Sequence, residues 1–60
     1  MLLEDVLSVT SEHTTVNVVD YNSGVVIDRY DGKNSISKEL NGRKVDKQYV
    51  HKNELYVIVL

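Results

Sequence analysis

The 60-residue chain has no cysteine. Disulfides, thiolate metal sites and cysteine nucleophiles are excluded, and a disulfide-stapled secreted scaffold has nothing to build on. Proline is absent as well, so no edge strand is guarded by a residue unable to donate a backbone hydrogen bond. Aromatic side chains are limited to Tyr21, Tyr30, Tyr49 and Tyr56. The three glycines are too scattered to cradle a phosphate. No apolar run approaches the ~20 residues of a membrane span. The start, Met1-Leu2-Leu3-Glu4-Asp5, has no basic segment and meets two acids at once, which is unlike a signal peptide. The expected compartment is the cytoplasm, with no membrane association.

What the chain does have is a division of charge. Residues 1–32 carry six acids against Arg29 alone, for −5, and residues 33–60 carry six bases against three acids, for +3. A polarised surface of this kind can steer a charged partner or orient two copies. A domain this small buries only ~60% of the surface its unfolded chain exposes. With no covalent staple, self-association is the expected way to bury more. A homodimer or larger oligomer is therefore the expectation.

Leu2, Leu3, Val6 and Leu7 recur at helical spacing, with Glu4 and Asp5 in the first turn where the helix dipole favours acids. This predicts a helix over about 3–9. The β-branched run 14–21 predicts a strand. Asn22-Ser23-Gly24 supplies a hairpin turn and residues 25–30 the returning strand, closed by Asp31-Gly32. Asn34 or Ser35 is placed to cap a short central helix with Ile36 and Leu40 on its apolar face, and Asn41-Gly42 to end it in a left-handed conformation. Barely two turns long, it must be held by packing on the sheet. Residues 44–51 read as a third strand with a bulge near Gln48, and after a turn at Lys52-Asn53 residues 55–60 read as a fourth. The predicted fold is a single small α+β domain of order α-ββ-α-ββ, an antiparallel sheet of two β-hairpins with a short N-terminal and a short central helix. How the hairpins pair with each other is not specified locally.

The last strand breaks the usual pattern. In an antiparallel sheet with one wet face alternate residues are polar, yet Leu55, Val57 and Val59 point one way while Tyr56, Ile58 and Leu60 point the other. Either the first helix covers the second face or another chain does. Tyr56, Ile58 and Leu60 are accordingly the candidate self-association surface.

Chemistry is sparse. Ser and Thr residues accompany His13 and His51, but no motif places a nucleophile beside an oriented base, and the expectation is a protein that is not an enzyme and uses no cofactor. Asp20, Asn22, Gly24 and Asp31 imitate the spacing of a calcium loop, but the glycine falls one place early and a strand follows, so hairpin-turn chemistry accounts for them. With two histidines and no cysteine, a metal site would have to rest on carboxylates, and none is expected. The bases of the second half, Lys33, Lys38, Arg43, Lys44, Lys47 and Lys52, are interleaved with Tyr49, and Arg43, Lys44, Lys47, Tyr49 and Lys52 lie closest together. They form a candidate surface for a protein partner or for nucleic acid, although an isoelectric point near 5.5 is low for a dedicated nucleic-acid binder.

The order of Leu3-Glu4-Asp5-Val6-Leu7, then Thr15-Val16-Asn17-Val18-Val19-Asp20, then Ser35 through Val45 with its Leu40 and Arg43-Lys44-Val45, then Leu55-Tyr56-Val57-Ile58-Val59 resembles the small uncharacterised accessory proteins of phages and prophages of Gram-positive bacteria. The resemblance spans nearly the whole chain and lies in apolar and turn residues. It implies a phage-like origin, residence in the host cytoplasm, and no catalytic residues to carry over. The expected function is a non-catalytic, homodimeric protein-binding module that modulates a host or phage protein. A nucleic-acid-binding module and a structural virion component are the alternatives.

Overall fold

The computed structural model describes residues 1–32 and 35–60. Lys33, and Asn34 as a candidate helix cap, lie outside the described residues. Helix α1 spans Leu3–Ser8 and is followed by β1 (Val16–Asp20) and β2 (Val26–Tyr30), a 3-10 turn at Lys38–Leu40, then β3 (Val45–His51) and β4 (Glu54–Val59). The two hairpins expected from the turn residues are present. They join as one sheet of order β2-β1-β4-β3, and β1 runs parallel to β4, with Val18 beside Val57 and Val19 beside Ile58. The expectation of an all-antiparallel sheet is thus corrected to a mixed one. Local turn chemistry fixes each hairpin but carries no information about which strands meet between them.

Helix α1 begins where Asp5 reaches back to accept the Leu2 amide at 2.9 Å, one half of a capping box. Its inner face, Leu3 and Val6, lies on Val16, Val18, Val57 and Val59 of the two central strands, and these six residues are the core. Leu7, Tyr30, Ile36, Leu40, Val45 and Leu55 pack around it half-buried. A helix of 6 residues has no stability of its own, so α1 exists because Leu3 and Val6 have the sheet to cover.

The central helix is corrected to a single 3-10 turn of 3 residues. Ile36 and Leu40 do pack against the core, but the stretch is too short to repay helix nucleation. The expected left-handed ending is also corrected: Asn41 is right-handed, at φ −58 and ψ −33, and Gly42 is not among the described residues of positive φ. The reason lies in α1. The Asn41 carbonyl accepts the Glu4 amide at 3.1 Å and the Arg43 carbonyl accepts the Leu3 amide at 2.9 Å, so the start of α1 occupies acceptors near the end of the 3-10 turn.

Positive φ occurs where the hairpins need it. Gly24 (φ 71) follows a turn in which the Asp20 carboxylate accepts the Ser23 amide at 3.0 Å, and Lys52 and Asn53 (φ 50 and 65) form the two-residue loop between β3 and β4, the backbone that matches strand twist. The bulge expected near Gln48 instead falls at Asp46, between Val45 and Lys47. A second, at Ile27, interrupts β2 opposite Val18 and Val19.

Candidate functional site

Alternation along the strands sorts the side chains onto two faces. One is the α1-covered core face. On the other, the register lines up Val26, Val19, Ile58 and Lys47 as one row across the sheet and Arg29, Asn17, Tyr56 and Tyr49 as the next. The first row is mostly apolar and the second polar and aromatic. Tyr49 and Tyr56 stack with ring centroids 5.1 Å apart and planes 4° from parallel, and His51 meets Tyr56 edge-on at 6.3 Å. Asn17, only 2% exposed, donates to Glu54 Oε1 at 2.8 Å, and the Arg29 guanidinium lies 3.5 Å from the same carboxylate. A buried amide with its partner in place is tolerated where an unpaired one would cost ~1–3 kcal/mol.

The structure thus divides the Tyr56, Ile58 and Leu60 set. Tyr56 and Ile58 are half-buried on the second face beneath their own neighbours, and Leu60, beyond β4, is 51% exposed. The basic set is divided more sharply. Arg43 donates through Nη2 to Asp20 Oδ1 at 2.8 Å and through Nε to the Leu60 carbonyl at 2.7 Å, so it ties the ends of β1 and β4 together and is not a free cation. Lys44, Lys47, Tyr49 and Lys52 remain exposed along β3 and its turn. His13 is exposed beside Glu12, at 3.7 Å.

The Arg43 pair, together with the Ser23 amide, holds the Asp20 carboxyl below its ordinary value. Its stabilising contribution is therefore present above the unfolded pKa of about 4 and is lost as pH falls through the lower folded value. Asp20→Asn is expected to unfold at lower urea concentration than the native chain at pH 7, with the gap narrowing below about pH 4. Urea midpoints at the two pH values check this. Equal midpoints at pH 7 would show that the pair is idle.

The two sheet edges differ. On β2, the bulge at Ile27 interrupts pairing, and the Asp28 carboxylate accepts the Arg29 amide at 2.8 Å and the Ser37 amide at 2.8 Å. On β3, Met1 takes the Val45 amide at 2.8 Å and Leu2 bridges Lys44, which covers only the start of the strand. From Asp46 to His51, no side chain among the described residues caps the backbone. Tyr49 and Val50 are 46% and 71% exposed there. Two-residue hairpin geometry turns the N–H and C=O of Lys47, Tyr49 and His51 toward β4 and those of Gln48 and Val50 outward. The residues of this strand are legible in the sequence; its position as an open edge is not, because that follows from the parallel β1–β4 pairing.

A separate cleft of about 400 Å³ opens beside Leu7, Val16, Tyr30 and Ile36, with Glu12 and Lys38 on its lining. Among the described residues no group of three or more His, Asp or Glu is placed to hold a metal ion, and no helix is long and apolar enough to cross a membrane. Comparison with protein-family models, with curated proteins and with solved structures finds no match to this chain.

Proposed function

We propose that this chain is a non-catalytic, protein-binding accessory module of phage or prophage origin that works as a homodimer, with its second hairpin as the attachment surface, and that modulates a host or phage protein. The observation that supports this most is the state of the third strand: a 7-residue edge whose outward backbone groups no side chain among the described residues caps from Asp46 onward, in a chain without proline. Uncapped edges of this kind template pairing with another chain. Domains that remain monomeric blunt them, as β2 is blunted here by its bulge and by Asp28. The nucleic-acid reading loses Arg43 to Asp20 and keeps, of its proposed surface, only Lys44, Lys47, Tyr49 and Lys52 on an acidic chain.

Sedimentation equilibrium over a range of concentrations tests the proposal, with an expected mass of twice the 6.8 kDa chain. A monomer at every concentration would contradict it. Titration with single-stranded and duplex DNA at rising salt is expected to give no saturable binding. Tight binding that weakens steeply with salt would instead favour the nucleic-acid alternative.

A further inference from the structure

We infer that the two copies join edge to edge, β3 against β3 in antiparallel register with the two-fold axis at Tyr49, making one continuous sheet. This rests on the proposed homodimer and specifies its geometry. Three observations select the register. The first is the direction of the backbone groups: with the axis at Tyr49, Gln48 of one copy lies opposite Val50 of the other, and these are the residues whose N–H and C=O face outward. Each such pair exchanges both bonds, once on either side of the axis.

The second is the N-terminal bridge. Met1 and Leu2 occupy the space beside Val45 and Lys44. An incoming strand must therefore stop at Asp46. An axis at Gln48 would set Lys52 of the second copy opposite Lys44, inside that occupied space and against a like charge. An axis at Tyr49 ends the pairing with Asp46 beside Lys52, where the second copy's chain turns away.

The third is chemical complementarity at the ends and the centre. Asp46 and Lys52 are opposite charges and meet twice by symmetry. At the axis, Tyr49 meets Tyr49 in the close, non-hydrogen-bonded kind of pair, where side chains approach most nearly. The ring of each Tyr49 already stacks on Tyr56, so the pair extends two aromatic stacks across the interface. Val50, the most exposed apolar residue of the strand at 71%, is drawn beside Gln48 of the second copy.

The test uses the full chain in sedimentation equilibrium with circular dichroism as the check on folding. Gln48→Pro removes an amide that faces away from β4, a change an edge strand accepts, and is expected to give a folded monomer. Tyr49→Lys, which sets two like charges against each other at the axis, is expected to do the same and serves if Gln48→Pro fails to fold. Asp46→Lys and Lys52→Asp are each expected to weaken dimerisation about three- to tenfold, and the two combined to restore it. Val26→Asp, paired with Val19 on the second face and 45% exposed, is expected to leave the dimer intact. A dimer that survives both Gln48→Pro and Tyr49→Lys, or that Val26→Asp dissociates, would overturn the edge geometry while leaving the homodimer standing. A native chain that is monomeric throughout would overturn both.

Discussion

Leu3→Ala is expected to destabilise the protein by about 2–5 kcal/mol. Leu3 is fully buried and joins α1 to both central strands through its place in the core. Truncation removes the transfer energy of the lost carbons and leaves a cavity that 6 residues of helix and the rigid sheet fill only in part. The size of the effect matters because stability at ~0.05–0.15 kcal/mol per residue amounts to only ~3–9 kcal/mol for a chain of this length. The variant should therefore be largely unfolded or close to it. Urea unfolding at a fixed protein concentration measures the loss, fixed because a dimer's stability depends on concentration. A loss under about 1 kcal/mol would show that α1 is not part of the core.

Val18→Thr is expected to cost about 1–3 kcal/mol with almost no change of volume. Val18 sits between β2 and β4, beside Val57, and is fully buried. A hydroxyl there joins the core cluster of Leu3, Val6, Val16, Val57 and Val59, whose side chains offer no acceptor, while the Asp28 carboxylate opposite it on β2 already accepts the Arg29 and Ser37 amides. The same substitution at Val50, which is 71% exposed, should shift the midpoint little. Comparing the two separates core dryness from strand propensity, which favours Thr and Val alike. Equal midpoints for the two variants would contradict the burial of Val18 in the core.

Much of this fold is legible in the residues, and the parts that are not share a physical cause. The run from Thr14 to Tyr21 declares a strand by its β-branched side chains, and Asn22 to Gly24 and Lys52-Asn53 declare their turns by the conformations those residues accept. Leu3 and Val6 declare a helical face. Each of these signals is local. The parallel meeting of β1 and β4 is not, and with it goes the reason for the apolar last strand. Val57 and Val59 face α1, while Tyr56 and Ile58 occupy the other face of a central strand, half-covered by neighbours on either side. A central strand needs apolar groups on both faces more than an edge strand does, and nothing near residues 55–60 says which of the two it is.

The candidate site divides along the same line. Lys47, Tyr49 and Lys52 stand out as exposed basic and aromatic residues from sequence. Arg43 looks identical to them until Asp20, 23 positions away, is brought beside it. Asn17 interrupts a β-branched run, which is a hint of a special role, but its partner Glu54 is 37 positions distant. The short central segment shows the limit from the other side: its capping and apolar residues spell a helix, yet the bonds from Leu3 and Glu4 to Arg43 and Asn41 take the acceptors near its end.

In the proposed dimer the third strand pairs with a second copy, and amide hydrogen exchange of Gln48 and Val50 reads that pairing directly. Both amides face away from β4, so in a monomer they are open to water and exchange at close to the rate of an unstructured chain. In the proposed dimer both are hydrogen-bonded across the axis. Protection of these two amides at high protein concentration, lost on dilution while Tyr49 stays protected through β4, is the predicted result. Gln48 and Val50 amides that exchange freely at every concentration, with Tyr49 protected, would contradict it.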